Sequence, residues 1–98
     1  MRWRPQALED LLKIRRFIAQ DNPTRAASFV DELRDQAQRL ALHPEMGRRA
    51  GPGLPAGMRV LVLHRNHLAY YRVIATEGEE QVEVLRVKHA RMQSGTAG

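Results

Sequence analysis

Four side chains near one end of the chain are equipped to act on, or to hold, an anionic group. Arg86, Lys88, His89 and Arg91 fall within six positions of the stretch VEVLRVKHARM, residues 82 to 92. Guanidinium groups present rigid forks of donors that match phosphate and carboxylate oxygens. A histidine titrates near neutrality, and cationic neighbours depress its pKa, so His89 can exchange a proton at physiological pH. Arg59 and Arg72, on segments that read as neighbouring strands, would enlarge the set to a basic cluster. Cleavage of a phosphodiester next to a 2′-hydroxyl needs a base, cations for the developing charge and an acid for the leaving oxygen. Arg59 and Arg86 could supply the charge and His89 one proton-transfer group. Tyr70, Tyr71 and Glu83 are candidates for the second, each with core packing or a cross-strand pair as its structural role. The structural alternative for the whole cluster is an arginine ladder that keeps one sheet face soluble.

Other chemistries find no support in the residue pattern. Cysteine is absent, which removes disulfides, thiolate zinc sites and cysteine nucleophiles. His64 and His67 make an H-x-x-H spacing, but across a turn and without a third ligand nearby, so no metal site is expected. Ser28 falls on a helical pattern and Ser94 in the tail, neither in a G-x-S-x-G elbow. Glycines 47, 51, 53 and 57 are interrupted by prolines and form no phosphate-cradling loop, and no cofactor is implied.

These residues need a scaffold, and 98 residues suit one small domain, with 43% hydrophobic and 28% charged side chains marking a folded chain. The net charge is +5, which favours an acidic partner such as nucleic acid, an anionic surface or an acidic protein segment. Residues 1 to 42 balance eight basic against six acidic side chains, whereas 81 to 98 sets Arg86, Lys88 and Arg91 against Glu83 alone. Apolar runs reach only four residues, VLVL and LAYY, too short for a membrane span of ~20 residues. The opening MRWRPQALED has no apolar core of a signal peptide, so the cytoplasm is the expected location.

RWR, before Pro5, reads as a first strand. Ala7, Leu8, Leu11, Leu12, Ile14, Phe17 and Ile18 form a broad helical stripe ending near Gln20, with Glu9, Asp10, Lys13 and Arg16 on the other side. Asn22 can cap a second helix that Pro23 begins, whose stripe is Ala26, Phe29, Val30, Leu33, Ala37, Leu40 and Ala41. Two helices joined so tightly form an antiparallel hairpin. Residues 43 to 57, rich in Gly and Pro and carrying Arg48 and Arg49, read as an irregular loop. Three strands follow: MRVLVLH, a tight turn at Arg65 and Asn66 with Asn66 tolerating positive φ, HLAYYRVIA, a polar turn TEGEE, then QVEVLRVKH. Strict alternation puts Arg86 and Lys88 on one face of the last strand and Leu85, Val87 and His89 on the other. The expected fold is a two-layer α+β domain over residues 1 to 92, strand-helix-helix-strand-strand-strand. Its helical hairpin covers one face of a largely antiparallel sheet and leaves the other face free. Residues 93 to 98 read as a flexible C-terminal tail.

RPQALEDLLKIRRFIAQDNPTRAASFVDEL, LALHPEMGR, GMRVLVL, HLAYYRV and VEVLRVKHARM, taken in order, resemble the RelE/ParE superfamily of toxins from type II toxin–antitoxin, or plasmid stabilisation, systems. The likeness spans about residues 3 to 92 and is carried by D-N-P between the helices, H-P-x-x-G-R after them, G-x-R opening a strand and L-R-V-x-H near the end. It implies a toxin silenced by a ParD- or RelB-like antitoxin with an acidic C-terminal segment, in a hetero-oligomer. RelE-like members cleave mRNA on the ribosome, whereas ParE-like members poison DNA gyrase and show no recognised active site. The lysines and arginines of RelE-like strands are replaced here by Leu61, Leu63 and Leu68, and AQDNPTRAASF, HPEMGR and LRVKHAR are similar to the ParE branch. The resemblance therefore implies a gyrase poison, with Arg59, Arg72, Arg86, Lys88, His89 and Arg91 binding target or antitoxin. The alternative is a ribosome-dependent endoribonuclease using Arg59, Arg86 and His89.

Overall fold

Helix α1 (Pro5–Ala19) buries a narrower stripe than its apolar residues offer. In the computed structural model, which describes residues 1 to 91, Ala7 and Leu11 go into the core and Ile14 packs beside them. Leu8, Leu12 and Phe17 stay exposed, Phe17 at 72%. Asp10, expected on the solvent side, is buried instead. The tail at 93 to 98 lies outside the described residues.

Helix α2 (Pro23–Gln38) starts as its sequence predicts: Pro23 opens the first turn, and the Asn22 side chain accepts from the Arg25 amide at 3.0 Å. A 3-10 turn (Arg39–Ala41) extends it and buries Leu40. Ala7, Ala26 and Ala37 are fully buried, and such small side chains let packed elements approach closely.

The five strands run in the spatial order β1-β5-β4-β3-β2. Strand β1 (Arg2–Trp3) lies parallel to β5 (Glu79–His89), with Arg2 opposite Glu83. Strands β3 (Arg59–Leu63), β4 (His67–Thr76) and β5 form an antiparallel meander. Strand β2 (Arg48–Arg49) falls inside the segment expected to be irregular; its two residues pair with Val60 and Arg59. The α+β architecture and largely antiparallel sheet agree with the sequence reading.

Both hairpin turns differ from expectation in detail. Three residues, His64 to Asn66, join β3 to β4, and positive φ falls on His64 (47°) and Arg65 (63°), not on Asn66. Tertiary contacts select this form: the His64 amide donates to Gln36 Oε1 at 3.0 Å, and the Ala90 amide donates to the Asn66 carbonyl at 2.7 Å. Between β4 and β5 the turn shrinks to Glu77 and Gly78, both with positive φ, the backbone that a tight hairpin requires.

One bulge resets the alternation of β5. Tyr70 faces Arg86, but Tyr71 faces Val84, so Leu85 is the extra residue. Val84 and Val87 consequently join the same cluster under the helices, with Leu33, Leu63 and Ala69. Tyr71, Val82 and Leu40 continue it. The far face is not simply free, as expected: Val60, Leu68 and Tyr70 are buried there against Ala50, Met58 and Ala90.

Candidate functional site

The arginines expected to cluster are each taken by a different part of the fold. Arg86 donates from Nε and Nη2 to the two carboxylate oxygens of Asp10 on α1, at 2.8 and 3.0 Å. Asp10 also accepts from the Val87 amide at 2.9 Å, next to the bulge, so one buried carboxylate receives three donors. The Asp10 hydrogen bonds push the Arg86 pKa up, and its charge is permanent. Arg86 therefore ties β5 to α1 rather than standing in a cationic array with Lys88.

Arg59 donates from Nη1 to the Gly47 carbonyl at 2.7 Å. The same glycine's amide donates to the Tyr71 hydroxyl at 2.9 Å, which in turn donates to the Pro44 carbonyl at 2.6 Å. Gly47 is needed because a Cβ there would lie 2.6 Å from both Tyr71 Oη and the Val60 carbonyl. Burial pushes the Tyr71 pKa up, opposed by its bond from Gly47 and by the Arg59 charge. Arg72 donates to buried Glu83 from Nε at 2.8 Å. Tyr71 and Glu83, candidates for proton transfer, are thus partners in internal bonds. Burial likewise raises the pKa of Tyr70.

His89, Lys88 and Arg91 have different surroundings. Lys88 is half-buried opposite Leu68. His89 Nδ1 accepts from the Arg91 amide at 3.0 Å, which assigns the proton of a neutral ring to Nε2. Its ring meets that of His67, directly opposite on β4, edge-on at 5.0 Å between centroids. Phe29 of α2 lies against His67 at 5.3 Å and stacks on His64 at 4.9 Å, making a row of four rings. His64 Nε2 is 2.9 Å from Glu32 Oε1, and among the described residues no three His, Cys, Asp or Glu side chains come together as a metal site. Burial, reinforced by His89 and His64, pushes His67 down to about 4, so it is neutral at physiological pH.

The basic residues thus fall into two sets. Arg59, Arg72 and Arg86 hold the fold, whereas His89 and Arg91 line a groove between the helices and the sheet end together with Lys13, Ile14, Phe17, Ile18, Phe29 and His67. Arg59, Arg86 and His89 each answer to a different element: Arg59 to the Gly47 carbonyl, Arg86 to Asp10 of α1 and His89 to His67 of β4. What the arrangement offers is a binding surface: an apolar groove with cations at its rim.

Sequence reasoning did not single out Asp10, Gly47, Phe17 or Phe29, and it weighed His67 only as half of an H-x-x-H pair. Gly47 had a signal in H-P-x-x-G-R, and Phe17 had one in being the bulkiest member of an over-wide helical stripe. Asp10 had none, since its partners Arg86 and Val87 lie 76 and 77 positions away.

Residues 1–94 match the family model of the ParE toxin of the type II toxin–antitoxin system, parDE. The chain belongs to the ParE toxin family. This toxin is 34% identical over 88 residues to Toxin RelE2 of Caulobacter vibrioides, covering 90% of this chain and 91% of that one. It is 29% identical over 89 residues to Toxin RelE3 of the same organism, covering 88% of each chain. In three dimensions it superposes with a TM-score of 0.71 on a solved chain described as "Chromosomal ParDE TA system from P. aeruginosa". That pair is 24% identical, with 90% of this chain and 91% of the other covered. The likeness to the solved chain is one of fold: two helices on a mixed five-stranded sheet. No helix among the described residues of the toxin is long and apolar enough to cross a membrane.

Proposed function

We propose that this ParE-family toxin arrests bacterial growth in the cytoplasm by binding DNA gyrase, without cutting a bond, and is neutralised by a ParD-like antitoxin in a hetero-oligomeric complex. The observation that carries the non-hydrolytic reading is the engagement of Arg86 by the buried Asp10 carboxylate. The cation best placed by sequence to stabilise a phosphorane is already neutralised by an internal partner. The Arg59 contact with the Gly47 carbonyl supports the same reading. His89 and Arg91 remain available to target or antitoxin, with Lys88 beside them.

An acidic, partly disordered antitoxin segment suits a toxin with net charge +5 and exposed Leu8, Leu12 and Phe17. Its binding to the folded chain alone would raise the unfolding midpoint by mass action.

The RelE names of the two Caulobacter relatives favour a second reading, ribosome-dependent mRNA cleavage. Pulse labelling after induction of the toxin without antitoxin separates the two. An early fall in DNA synthesis supports gyrase poisoning, and an early fall in protein synthesis supports the nuclease. His89→Ala sharpens the test because His89 is half-buried at the groove and its loss leaves no charge unpaired. On the proposed reading, no RNA cleavage is there for that variant to lose.

A further inference from the structure

The groove at the end of the helical hairpin has properties that go beyond an exposed apolar face. Its volume is about 640 Å³, within the range of small-molecule sites. Ile14, Phe17 and Ile18 of α1 form one wall and Phe29 of α2 another. A phenylalanine left 72% exposed, as Phe17 is, costs solubility unless something covers it.

Polar groups in the groove are few. His67 lines it and is 7% exposed, yet its Nδ1 is buried and finds no hydrogen-bond partner among the described residues. Such an atom is costly unless a ligand or water reaches it, and in the neutral ring it can be either donor or acceptor. Two cations, Lys13 and Arg91, line the same groove. Lys13 faces Glu9 at 3.6 Å, but both side chains are about two-thirds exposed, at 66% and 64%, and such a pair is weak and easily exchanged. Arg91 is exposed, and its backbone amide donates to His89 Nδ1.

We propose that this groove is a small-molecule site for an apolar carboxylic acid, its ring or chain lying against Phe17 and Phe29 and its carboxylate between Lys13 and Arg91. Charge selects the class: an apolar wall with cations at its edge favours an amphiphilic anion over a neutral or cationic molecule of the same size. The site does not depend on the toxin's target.

The test is a nitrogen-15 NMR titration of the full chain with 2-naphthylacetate, and in parallel with 2-naphthylethanol, which has the same rings and no charge. Saturable shifts of the amides between Lys13 and Ile18 and of Phe29, His67 and His89 are expected, with the alcohol binding roughly tenfold more weakly. Phe17→Ser and Lys13→Glu, both at exposed positions, should each weaken the acid by a comparable factor while leaving the remaining spectrum in place. Equal binding of acid and alcohol would overturn the proposal. So would shifts centred elsewhere, an unchanged affinity in Phe17→Ser, or a groove that responds only to a peptide.

Discussion

The middle and the C-terminal end of β5 show opposite ways of treating polar groups. Around Leu85 the chain bulges, and beside the bulge Asp10 takes the Val87 amide and Arg86 takes both Asp10 oxygens. Four residues later, around His89, polar atoms and apolar rings are left open beside a groove, with His67 Nδ1 buried and unpaired among the described residues. The first region is built to hold the chain together. The second keeps a surface that folding itself does not use, which is where a binding protein places its contacts.

If this division is right, the largest effect of mutation should come from the closed region. Arg86→Ala leaves the Asp10 carboxylate buried with the Val87 amide as its remaining donor. A loss of about 3 kcal/mol is expected, the cost of breaking such a pair, moderated because Arg86 is partly exposed. Chemical denaturation measures it, and a loss below about 1 kcal/mol would place Arg86 in the open set. Gly47→Ala should follow, since its Cβ would collide with Tyr71 Oη and the Val60 carbonyl. Tyr71→Phe, which keeps the ring and removes two hydrogen bonds, should cost about 1–3 kcal/mol. If Tyr71→Phe matched wild type, the 44–47 segment would not depend on that hydroxyl.

Acid should act on the open region. His67 stays neutral in the fold down to about 4, whereas in the unfolded chain it takes up a proton near 6.5. Between those values the unfolded state binds more protons, so stability present above pH 6.5 is lost progressively as the pH falls toward 4. Thermal melts of His67→Phe should be flatter across that window than those of wild type, and parallel curves would assign the acid sensitivity to other groups. The smallest effect on stability belongs to Phe17→Ser, within about 0.5 kcal/mol because Phe17 is exposed. The same change should reduce growth arrest or antitoxin binding if this end of the molecule is where partners dock.

Much of the fold was legible in advance. Period in the apolar residues located α1 and α2, Asn22 and Pro23 marked the joint, and branched residues marked β3 to β5. The order of elements led to the α+β arrangement and, with the D-N-P and L-R-V-x-H signatures, to the toxin superfamily. The expected site was less legible. Counting alternate positions along β5 assumed no bulge, and the bulge at Leu85 brings Val84 and Val87 to the same side.

Local patterning determines secondary structure because it depends on residues a few positions apart, which the chain carries with it wherever it folds. Composition likewise set the net charge of +5 and excluded thiol chemistry before any contact was formed. Which arginines are spent and which are free was decided only by tertiary structure. Arg86 and Asp10 are 76 positions apart, Arg59 and Gly47 are 12 apart, and neither partner is recognisable until packing fixes the distance between them. A cation is drawn to the nearest buried carboxylate or carbonyl, because leaving such a group unpaired costs more than an exposed contact returns.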